Sequence, residues 1–433
     1  MRLNKASALQ KNFTHEGAPA KNISDAQALR RSVLSCLLWE NEFYEDGVTI
    51  ADRIVELASK RPASEVAALA VEARKEFNLR HVPLLLLTGL VAKGGPGVAD
   101  AIAETIRRPD EMTELLAIYW RNGRIPISKQ LKVGLARAFG KFDEYQLAKY
   151  DREGPVTLRD VLFLSHAKPA DEEREALYRR LIEGTMTTPD TWETNLSGGA
   201  DKGETFTRLL KEEKLGYLAL LRNLRNMMEA GVDTGLVRDA ILKRQGAHNV
   251  LPFRYVAAAR VVPQMEGFLD QALVESVEMG PRLDGKTVVL VDVSGSMGAK
   301  LSAKSDMTRR DAAATLASVI HGDLRVFTFS SGTVEVPPRR GMAGVDAVIN
   351  SQSHRLTDLG SAVRQMNGEV KHDRLIVITD EQSQTRVPDP VAKRAYMINV
   401  ASNRNGVGYG KWTHIDGFSE AVLRFIHEVE REG

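Results

Sequence analysis

The sequence predicts two domains, an all-α region of HEAT-like helical repeats followed by an α/β doubly wound domain. The chain has 433 residues, which is more than one hydrophobic core usually organises. Apolar residues recur at helical spacing from about Asp25 to about Met279. After Gly285 they form short continuous runs that alternate with helical segments. We therefore predict a helical domain over residues 1–279 and an α/β domain over residues 280–433.

The helical domain is predicted from bursts of apolar residues separated by Gly, Pro, Asn or charged residues. Examples are Ile50–Ala58, Val66–Ala73 and Leu84–Val91, and each burst suits a helix of about 10 to 16 residues. Helix pairs that repeat every ~40 residues are typical of HEAT-like arrays, in which each pair buries its apolar face against its neighbours. The self-similarity of the repeats is weak, so an irregular helical bundle is the alternative.

The α/β domain is predicted from continuous apolar runs of strand length with helical segments between them. Such strands are buried on both faces, which indicates a parallel sheet covered by helices on both sides. The boundary between the domains is expected near Gly280-Pro281. The predicted strands are Thr287–Asp292, Leu324–Phe329, Arg374–Asp380 and Arg394–Val400, and the predicted helices are Arg309–Ile320, Ser361–Met366 and Phe418–Glu430.

The composition limits the class of protein. Apolar residues make up 43% of the chain, charged residues 27%, and the formal net charge is +2. This balance excludes a long basic or acidic disordered arm, so a nucleic-acid surface has to be a local patch. Cys36 is the only cysteine, which excludes an intrachain disulfide, a zinc ribbon and an iron–sulfur site. A single cysteine fits a reducing cytoplasm.

No segment of the sequence has the pattern of a membrane span or a secretory signal. The longest apolar run, Val82–Leu87, is much shorter than the roughly 20 residues that cross a bilayer. The first segment, Met1–Ala20, has neither a continuous apolar stretch nor a small-residue cleavage site. We expect a cytoplasmic protein with a lead-in segment before the first helix.

Two predicted strands end in aspartate at the place where parallel sheets bind ligands. The first continues as Asp292-Val-Ser294-Gly-Ser296, and the second ends in Thr379-Asp380. Ligands bind beyond the carboxyl ends of such strands. Carboxylate and hydroxyl oxygens without imidazole or thiolate form a ligand set for a hard cation. The sequence therefore predicts one divalent cation, Mg²⁺ first, with Mn²⁺ or Ca²⁺ as alternatives.

The Asp-x-Ser-x-Ser turn resembles the metal-ion-dependent adhesion site of von Willebrand factor A domains, over about 150 residues of this chain. The resemblance implies a further ligand, and Thr357 stands where the threonine of that family is expected. Small residues usually precede that threonine, whereas this chain has Arg355 and Leu356. In A domains that bind partners, the open position of the cation takes an acidic side chain from the partner. The alternative is that Asp292 only caps a turn.

A literal P-loop pattern, Gly280-Pro-Arg-Leu-Asp-Gly-Lys-Thr287, is interpreted as a chance match. A P-loop needs a strand before its glycines and a helix after them, so that backbone N–H groups hold phosphate. Here the predicted order is reversed. Neither a Gly-x-Ser-x-Gly nucleophile motif nor a metal-binding histidine spacing occurs, and we predict a protein without catalytic residues.

Basic residues are dense between Arg121 and Lys168, although acidic residues occur among them. The alternative to a nucleic-acid surface is a mixed, solvated face. The basic side chains are Arg121, Arg124, Lys129, Lys132, Arg137, Lys141, Lys149, Arg152, Arg159, His166 and Lys168.

Four segments in a fixed order resemble the TROVE domain of the Ro family, here of the prokaryotic type. They are Lys149–Gly154, Leu158–Pro169, Leu220–Leu224 and Pro252–Tyr255. With the A domain after them, the resemblance covers nearly the whole chain. It implies a closed ring of HEAT-like helices that binds small noncoding Y RNAs on its outer rim. It also implies that single-stranded 3′ ends of misfolded RNAs enter the central hole.

The resemblance assigns RNA contacts to particular residues. Lys149 and His166 would lie on the outer rim and touch the Y RNA. The family has another basic residue four positions after that lysine, where this chain has Glu153, with Arg152 one position earlier. A basic rim reads phosphate spacing, which suits RNA because the deep groove of its duplex hides the base edges. The further predicted contacts, at the rim or in the hole, are Lys129, Lys132 and Arg137.

We therefore predict an RNA-binding ribonucleoprotein component that acts in RNA quality control or as an exoribonuclease adaptor. Its predicted partners are a Y-like RNA, misfolded RNA with a single-stranded 3′ end, an exoribonuclease and an acidic protein ligand at the cation. One alternative is a cation-dependent protein–protein adaptor that binds no RNA. A second alternative is an NTPase, which the context of the P-loop pattern disfavours.

Overall fold

The structure is a computed structural model of the whole chain. It describes residues 13–20, 23–34, 47–250, 252–278, 282–301, 307–401, 403, 406–417 and 421–431. Cys36 and the predicted boundary at Gly280-Pro281 lie outside the described residues. The chain divides into two compact units, and each is treated by itself.

One compact unit consists of Ser24–Trp39 and Gly47–Asp190, and its described elements are all helices. Its core is mostly aliphatic, with Phe139, Phe142 and Tyr178 among its buried residues. The helix His81–Lys93 buries four consecutive leucines, Leu84 to Leu87, as expected of a helix covered on several sides. The helices are α1 Asp25–Leu34, α2 Gly47–Ser59, α3 Ala63–Lys75, α4 His81–Lys93, α5 Val98–Thr105, α6 Pro109–Tyr119, α7 Lys129–Phe139, α8 Glu144–Tyr150, α9 Leu158–Ser165 and α10 Glu172–Glu183.

The helices of this unit stack as a repeat array. Helix α4 contacts α2 and α3 before it and α5 and α6 after it, so each apolar face is buried by neighbours along the chain. Local sequence sets the helix starts. Asp143 and Gln146 form a capping box at α8, and Thr157 and Asp160 form another at α9, which satisfies backbone N–H groups that have no partner within the helix.

The other compact unit consists of Met1–Ile23, Glu40–Asp46 and Thr191–Gly433. It begins with further helices, in which α13 contacts α12, α14 and α15. The helices before the sheet are α11 Trp192–Ser197, α12 Lys202–Lys211, α13 Tyr217–Glu229, α14 Thr234–Lys243, α15 Phe253–Val261 and α16 Glu266–Glu278, with single 3₁₀ turns at Ala247–Asn249 and Pro263–Met265.

Six strands of the described residues form one sheet in this unit, in the order β3-β2-β1-β4-β5-β6. Neighbouring strands are parallel except β3, which pairs antiparallel with β2 at one edge. All six residues of β4 are buried, as in a sheet covered on both faces. The elements are β1 Leu283–Asp292, α17 Arg309–Ser318, β2 Gly322–Phe329, β3 Thr333–Val336, α18 Gly341–Ile349, α19 Leu359–Glu369, β4 Arg374–Thr379, β5 Arg394–Asn399, β6 Thr413–Asp416 and α20 Ala421–Arg431.

The helices before the sheet pack directly on its helical layer. Helix α15 contacts α17, and α16 contacts α18. Arg260 pairs with Asp311 at 2.8 Å, and the Asp270 carboxylate accepts a hydrogen bond from the Met342 amide at 2.7 Å. Residues from Thr191 onward therefore share one core with the sheet, and the compact units divide at Asp190/Thr191.

The predicted fold class, a helical-repeat region followed by a doubly wound α/β domain, is confirmed. The four predicted strands form within two residues of their expected ends, apart from an earlier start of β1 at Leu283. Two short edge strands, β3 and β6, and helix α18 were not predicted. Helix α18 contains two glycines and only nine residues, which is too few for a clear helical period. The domain boundary at residue 280 stays a prediction.

Candidate cation site and nucleic-acid surface

The ends of β1 and β4 bring the two predicted aspartate ligands to one edge of the sheet. These strands are parallel neighbours, and Val291 lies opposite Ile378. Asp292 and Asp380 therefore follow at the same carboxyl edge, and both are fully buried. The Thr379 hydroxyl donates a hydrogen bond to Asp292 Oδ2 at 2.6 Å, which ties the two strand ends together.

The turn after Asp292 brings two buried serine hydroxyls next to each other. The Ser294 amide donates to Asp292 Oδ1 at 2.9 Å, and Ser294 Oγ lies 3.3 Å from Ser296 Oγ. Ser294 and Ser296 are buried, and a single 3₁₀ turn begins at Ser296. Because both hydroxyls are buried, water does not satisfy them, and they need partners within the protein.

The loop that carries Thr357 is held against this turn. The Gly295 amide donates to the Arg355 carbonyl at 3.0 Å, and a Cβ on Gly295 would lie 3.3 Å from that oxygen. Thr357 is buried, and its carbonyl accepts from the Gln384 amide at 3.0 Å. Arg355 and Leu356 are exposed, so these larger side chains do not fill the space beside Thr357.

The electrostatics of this edge favour a positive charge between the aspartates. Burial, and next the nearby Asp380 carboxylate, raise the pKa of Asp292 above its usual range. Two arginines at the start of α17 offset part of this repulsion. Burial lowers the pKa of Arg309 and of Arg310, against the opposing attraction of Asp380 on Arg309 and of Asp311 and then Asp292 on Arg310. No sequence pattern had indicated these arginines.

The donor set fits a hard cation. Two ligands at adjacent octahedral positions of Mg²⁺, each at about 2.1 Å, lie about 3 Å apart, and the two serine hydroxyls have a similar separation. Across the described residues, no three His, Cys, Asp or Glu side chains converge to hold a metal. A cation here would therefore depend on the hydroxyl oxygens as well as on the two carboxylates. The five predicted ligands stay a prediction.

The loop after Asp380 is fixed by buried polar contacts. Glu381 adopts a left-handed backbone conformation with φ 57°, which is strained for this residue type. Its carboxylate accepts hydrogen bonds from the amides of Val407 and Gly408 at 2.7 and 2.6 Å, and its other oxygen lies 2.5 Å from His414 Nε2. This contact joins His414 on β6 to the loop after Asp380.

A turn near the beginning of the chain also holds this loop. The Thr14 hydroxyl and the Ala18 amide donate to the Ser383 carbonyl at 2.7 and 2.9 Å. The His15 amide donates to Gln382 Oε1 at 2.6 Å. Thr14 and Ala18 are buried. Residues 13–19, interpreted from sequence as a lead-in, thus position the loop that follows Asp380.

The P-loop pattern lies in the wrong context for phosphate. Gly285, Lys286 and Thr287 are part of β1, which continues to Asp292. Backbone N–H groups in a strand pair with neighbouring strands, and no helix begins after Thr287 to bind an anion. The interpretation as a chance match therefore agrees with the structure.

Three residues assigned to RNA lie at or just after the ends of α8 and α9, and two of them, Arg152 and His166, are exposed. Lys149 lies at the end of α8, half-buried, with its Nζ 6.0 Å from the centroid of the Tyr145 ring and 5.9 Å from that of Tyr150. His166 is exposed at the end of α9, where it adopts a left-handed conformation with φ 54°. An exposed histidine at a helix end is accessible to a ligand. Arg152 follows α8 and is also exposed.

The remaining basic residues differ in availability. On α7, Lys129 is exposed and Lys132 is half-buried, whereas Arg137 forms an ion pair with Asp100. Lys141 donates to the carbonyls of Ala103 and Ile106 at the end of α5, and burial lowers its pKa. Lys141 therefore caps a helix and is a structural residue. None of the six predicted RNA-binding residues is tested by these contacts alone.

The fold and the candidate site define a class of protein: a helical-repeat region joined to an α/β domain of the von Willebrand A type with a buried aspartate–serine edge. Residues 184–272 match the sequence model of the TROVE domain. The fold matches the crystal structure of the Deinococcus radiodurans RO (RSR) protein with a TM-score of 0.62 and 18% identity, covering 94% of this chain and 100% of that chain. The resemblance to the Ro family is confirmed.

A curated mouse protein, telomerase protein component 1, is 21% identical over 304 residues. The match covers 49% of this chain and 12% of the mouse protein, so the chain spans only a small part of that relative's length. In the described part of the chain, no helix has the length and apolar character needed to cross a membrane.

Proposed function

We propose that this protein is a non-catalytic RNA-binding component of a ribonucleoprotein. The observation that carries the proposal is the TROVE-domain match of residues 184–272 in a chain with the fold of a Ro protein. The half-buried Lys149 and the exposed Arg152 and His166 support it, because they give the helical unit local basic side chains although the net charge of the chain is only +2. Phosphate contacts from such a surface supply affinity without reading base sequence.

The finer proposal follows the Ro resemblance. The RNA bound through Lys149 and His166 is a Y-like noncoding RNA, and the protein also accepts single-stranded 3′ ends of misfolded RNAs. This activity places it in cytoplasmic RNA quality control, or makes it an adaptor for an exoribonuclease. Lys129, Lys132, Arg137 and Arg152 are proposed as additional phosphate contacts.

Exchanging Lys149 for glutamate should weaken the binding of a duplex Y-like RNA and flatten its dependence on salt. Each lysine that neutralises a phosphate releases condensed counterion, so its loss lowers the slope of log affinity against log salt by about 1. Filter binding at two salt concentrations measures both effects. His166→Ala should weaken the same RNA with a smaller change of slope, because histidine is only partly charged at neutral pH.

An RNA with a single-stranded 3′ end is the control RNA for this test. We expect neither substitution to abolish its capture if the two RNAs use separate surfaces. Equal losses for both RNAs would contradict the assignment of Lys149 and His166, and a lowered thermal midpoint of the variants would attribute the losses to unfolding. A wild-type protein that binds neither RNA would overturn the proposed function.

We also propose that Asp292, Ser294, Ser296, Thr357 and Asp380 hold one divalent cation, most readily Mg²⁺. The raised pKa of Asp292 supports this, since a cation would relieve the repulsion from Asp380. When bound, the cation would supply an electrophilic docking point for an acidic side chain of a partner. The chain's own contribution is to bury and orient the five side chains and to exclude water from them.

Removing divalent cations should lower the thermal midpoint of unfolding, and Mg²⁺ should restore it. A cation present at 100 times its Kd stabilises the folded state by about 2.7 kcal/mol. Arg309 and Arg310 reduce the repulsion that chelation exposes, but they do not remove it. Because a raised pKa means that protons compete with the cation, Mg²⁺ affinity should increase as the pH rises.

An Asp292→Asn variant is the control for this experiment, because it removes one charge from the pair and keeps the side-chain size. Its midpoint should respond little to Mg²⁺. The same midpoint with and without chelator in the wild-type protein, at every pH tested, would eliminate the proposed cation site.

A cation-dependent protein adaptor without RNA is the second candidate, and the buried aspartate–serine edge favours it. The two functions are distinguished by the absorbance of the purified protein. A raised 260/280 nm ratio that nuclease treatment lowers supports the RNA-binding proposal. A ratio typical of protein alone, which nuclease treatment does not change, supports the adaptor.

A further inference from the structure

A short turn near the beginning of the chain is built by its own backbone. Phe13 and Pro19 form an antiparallel bridge, the Thr14 amide donates to the Ala18 carbonyl at 2.9 Å, and the Gly17 amide donates to the Thr14 carbonyl at 3.1 Å. Gly17 has a φ of 98°, which glycine adopts without strain. Residues 13–19, the N-terminal turn, therefore present a defined shape to the loop after β4.

Two donors of the N-terminal turn converge on one carbonyl of that loop. The Thr14 hydroxyl and the Ala18 amide both donate to the Ser383 carbonyl, at 2.7 and 2.9 Å. Thr14 and Ala18 are 5% and 0% exposed, so water does not replace this acceptor. The His15 amide donates to Gln382 Oε1 at 2.6 Å. The turn is thus bound to the loop in part through buried hydrogen bonds, which form only when the two segments meet.

Gln382 connects the N-terminal turn to a predicted cation ligand. Its side chain is fully buried, and its Oε1 accepts from the turn. Its amide donates to Asp380 Oδ1 at 3.1 Å, and its Nε2 donates to the Asp380 carbonyl at 3.4 Å. Two residues further on, the Gln384 amide donates to the Thr357 carbonyl at 3.0 Å. The segment that the turn holds is therefore in direct contact with two of the predicted ligands, Asp380 and Thr357.

Regular secondary structure does not set the conformation of this loop. The chain from Asp380 to Lys393, all of which the structure describes, contains neither a helix nor a strand. Glu381 has a φ of 57°, and such a conformation persists only where the surrounding structure imposes it. Contacts from distant segments, among them the N-terminal turn, therefore decide where the Asp380 carboxylate lies.

The cation and the turn act on the same loop. Without a cation, the buried carboxylates of Asp292 and Asp380 repel each other when both are ionised, which favours a displacement of the loop that separates them. A bound cation attracts both carboxylates and favours the loop position that the turn also stabilises. Two events that favour one conformation favour each other, and the coupling between them is reciprocal.

We propose that the N-terminal turn is a positioning element of the cation site, and that Mg²⁺ binding and attachment of the turn to the loop strengthen each other. Thr14 and Gln382 are the positioning residues, and neither is a predicted ligand. The proposal rests on the proposed cation site and adds a consequence. Occupancy of the site determines how firmly the beginning of the chain, shortly before α1, is held to the loop.

Calorimetric titration of Mg²⁺ into the metal-free full-length protein tests the effect of the turn on the site. Thr14→Val keeps the size of the side chain but removes its donor, so Mg²⁺ affinity should fall by about fivefold or more, as for typical coupling between sites. Thr14→Ser keeps the hydroxyl and should bind Mg²⁺ as the wild type does. A residue that only stabilised the fold would lower the thermal midpoint equally with and without Mg²⁺ and leave the affinity unchanged.

Hydrogen exchange of residues 13–20 in the wild-type protein tests the effect of the site on the turn. Mg²⁺ should slow the exchange of the His15 and Ala18 amides relative to protein with a chelator. Because the coupling is reciprocal, the exchange should slow by at least the factor that Thr14→Val loses in affinity. Helix α4, which lies in the other compact unit, should exchange at the same rate in both conditions.

Ser24→Ala is the matched control for a substitution near the beginning of the chain. It removes an exposed hydroxyl that binds Gln27 in α1. We expect it to change neither the affinity for Mg²⁺ nor the exchange of residues 13–20.

The outcomes separate this proposal from the cation site on which it rests. If Mg²⁺ raises the midpoint but Thr14→Val retains its affinity, the site stands and the positioning role is overturned. The same conclusion follows if the exchange of residues 13–20 does not respond to Mg²⁺. If Mg²⁺ does not bind the wild-type protein, both proposals fail. Should circular dichroism show that Thr14→Val is unfolded, the exchange measured in the wild-type protein decides.

Discussion

Replacing Arg374 by alanine is expected to destabilise the sheet-containing unit by about 3–5 kcal/mol, because it leaves a buried carboxylate without its main partner. Arg374 is fully buried at the beginning of β4. Its guanidinium donates to both oxygens of Glu430 on α20, and also to the Thr287 hydroxyl at 2.6 Å and the Asp284 carbonyl at 2.9 Å. One side chain thus joins β1, β4 and the last helix.

This effect should depend on pH. Burial would raise the pKa of the Glu430 carboxyl, but the hydrogen bonds from Arg374 and Tyr396 outweigh it, and the pKa lies below its usual range. A lowered pKa contributes stability that is present above the ordinary carboxyl pKa and is lost as the pH falls through the lowered value. The difference between wild type and Arg374→Ala should therefore shrink in acid.

Urea unfolding combined with hydrogen exchange of the β4 peptides measures this loss in the relevant unit. Arg394→Ala is the matched control, because Arg394 also pairs with Glu430, at 3.1 Å, but its side chain is 43% exposed. An exposed pair contributes about 0–1 kcal/mol. Equal losses for the two variants would show that burial of Arg374 does not govern its contribution. Since Asp380 follows directly after β4, the alanine variant should also weaken Mg²⁺ binding.

Replacing Glu111 by alanine should destabilise the helical unit by a similar amount, about 3–5 kcal/mol. Glu111 is fully buried near the beginning of α6, and one of its oxygens lies 2.7 Å from the Arg74 guanidinium. Its other oxygen accepts from the amides of Arg107 and Arg108 at 2.8 and 3.2 Å. The substitution removes an ion-pair partner and a helix cap together.

The loss should also reach the RNA-binding surface. The Glu111 carboxylate fixes the backbone of Arg108, and Arg108 supports the Tyr150 ring beside Lys149. Affinity for the Y-like RNA should therefore fall in Glu111→Ala. Glu104→Ala provides the control, since Glu104 pairs with Lys75 at an exposed position. Thermal melts that show no difference between the two variants would contradict a structural role for the buried pair.

Much of the candidate cation site could be predicted because its parts are close in sequence. Asp292, Ser294 and Ser296 occupy one turn. The strand before this turn can be recognised in the sequence as a continuous run of apolar residues. Thr357 came only from the resemblance to A domains, and the hydrogen bond between Gly295 and Arg355 now ties its loop to that turn. Arg309 and Arg310 were missed because nothing in their local sequence indicates that they face the aspartates.

The RNA-binding surface shows the opposite limit. A count of basic residues between Arg121 and Lys168 does not distinguish an exposed cation from one that is already used. Lys141 caps α5 and Arg137 pairs with Asp100, whereas His166 is exposed at a helix end. Helical spacing was predicted for the whole region from about Asp25 to about Met279, which includes α8 and α9, but it gave no sign that Tyr145 and Phe163 are exposed.

The sequence by itself determined the order of helices and strands and the resemblance to Ro proteins. Hydrophobic periodicity and short motifs involve residues that are close together in the chain, so they can be recognised without the structure. The tertiary structure alone decided which distant residues meet. Thr14 binds Ser383 across 369 positions, and Arg374 reaches Glu430 on the last helix. Such pairs depend on how whole elements pack against one another. A buried polar group accepts any partner that satisfies its charge and hydrogen bonds. The sequence around one residue of a pair therefore does not specify its partner.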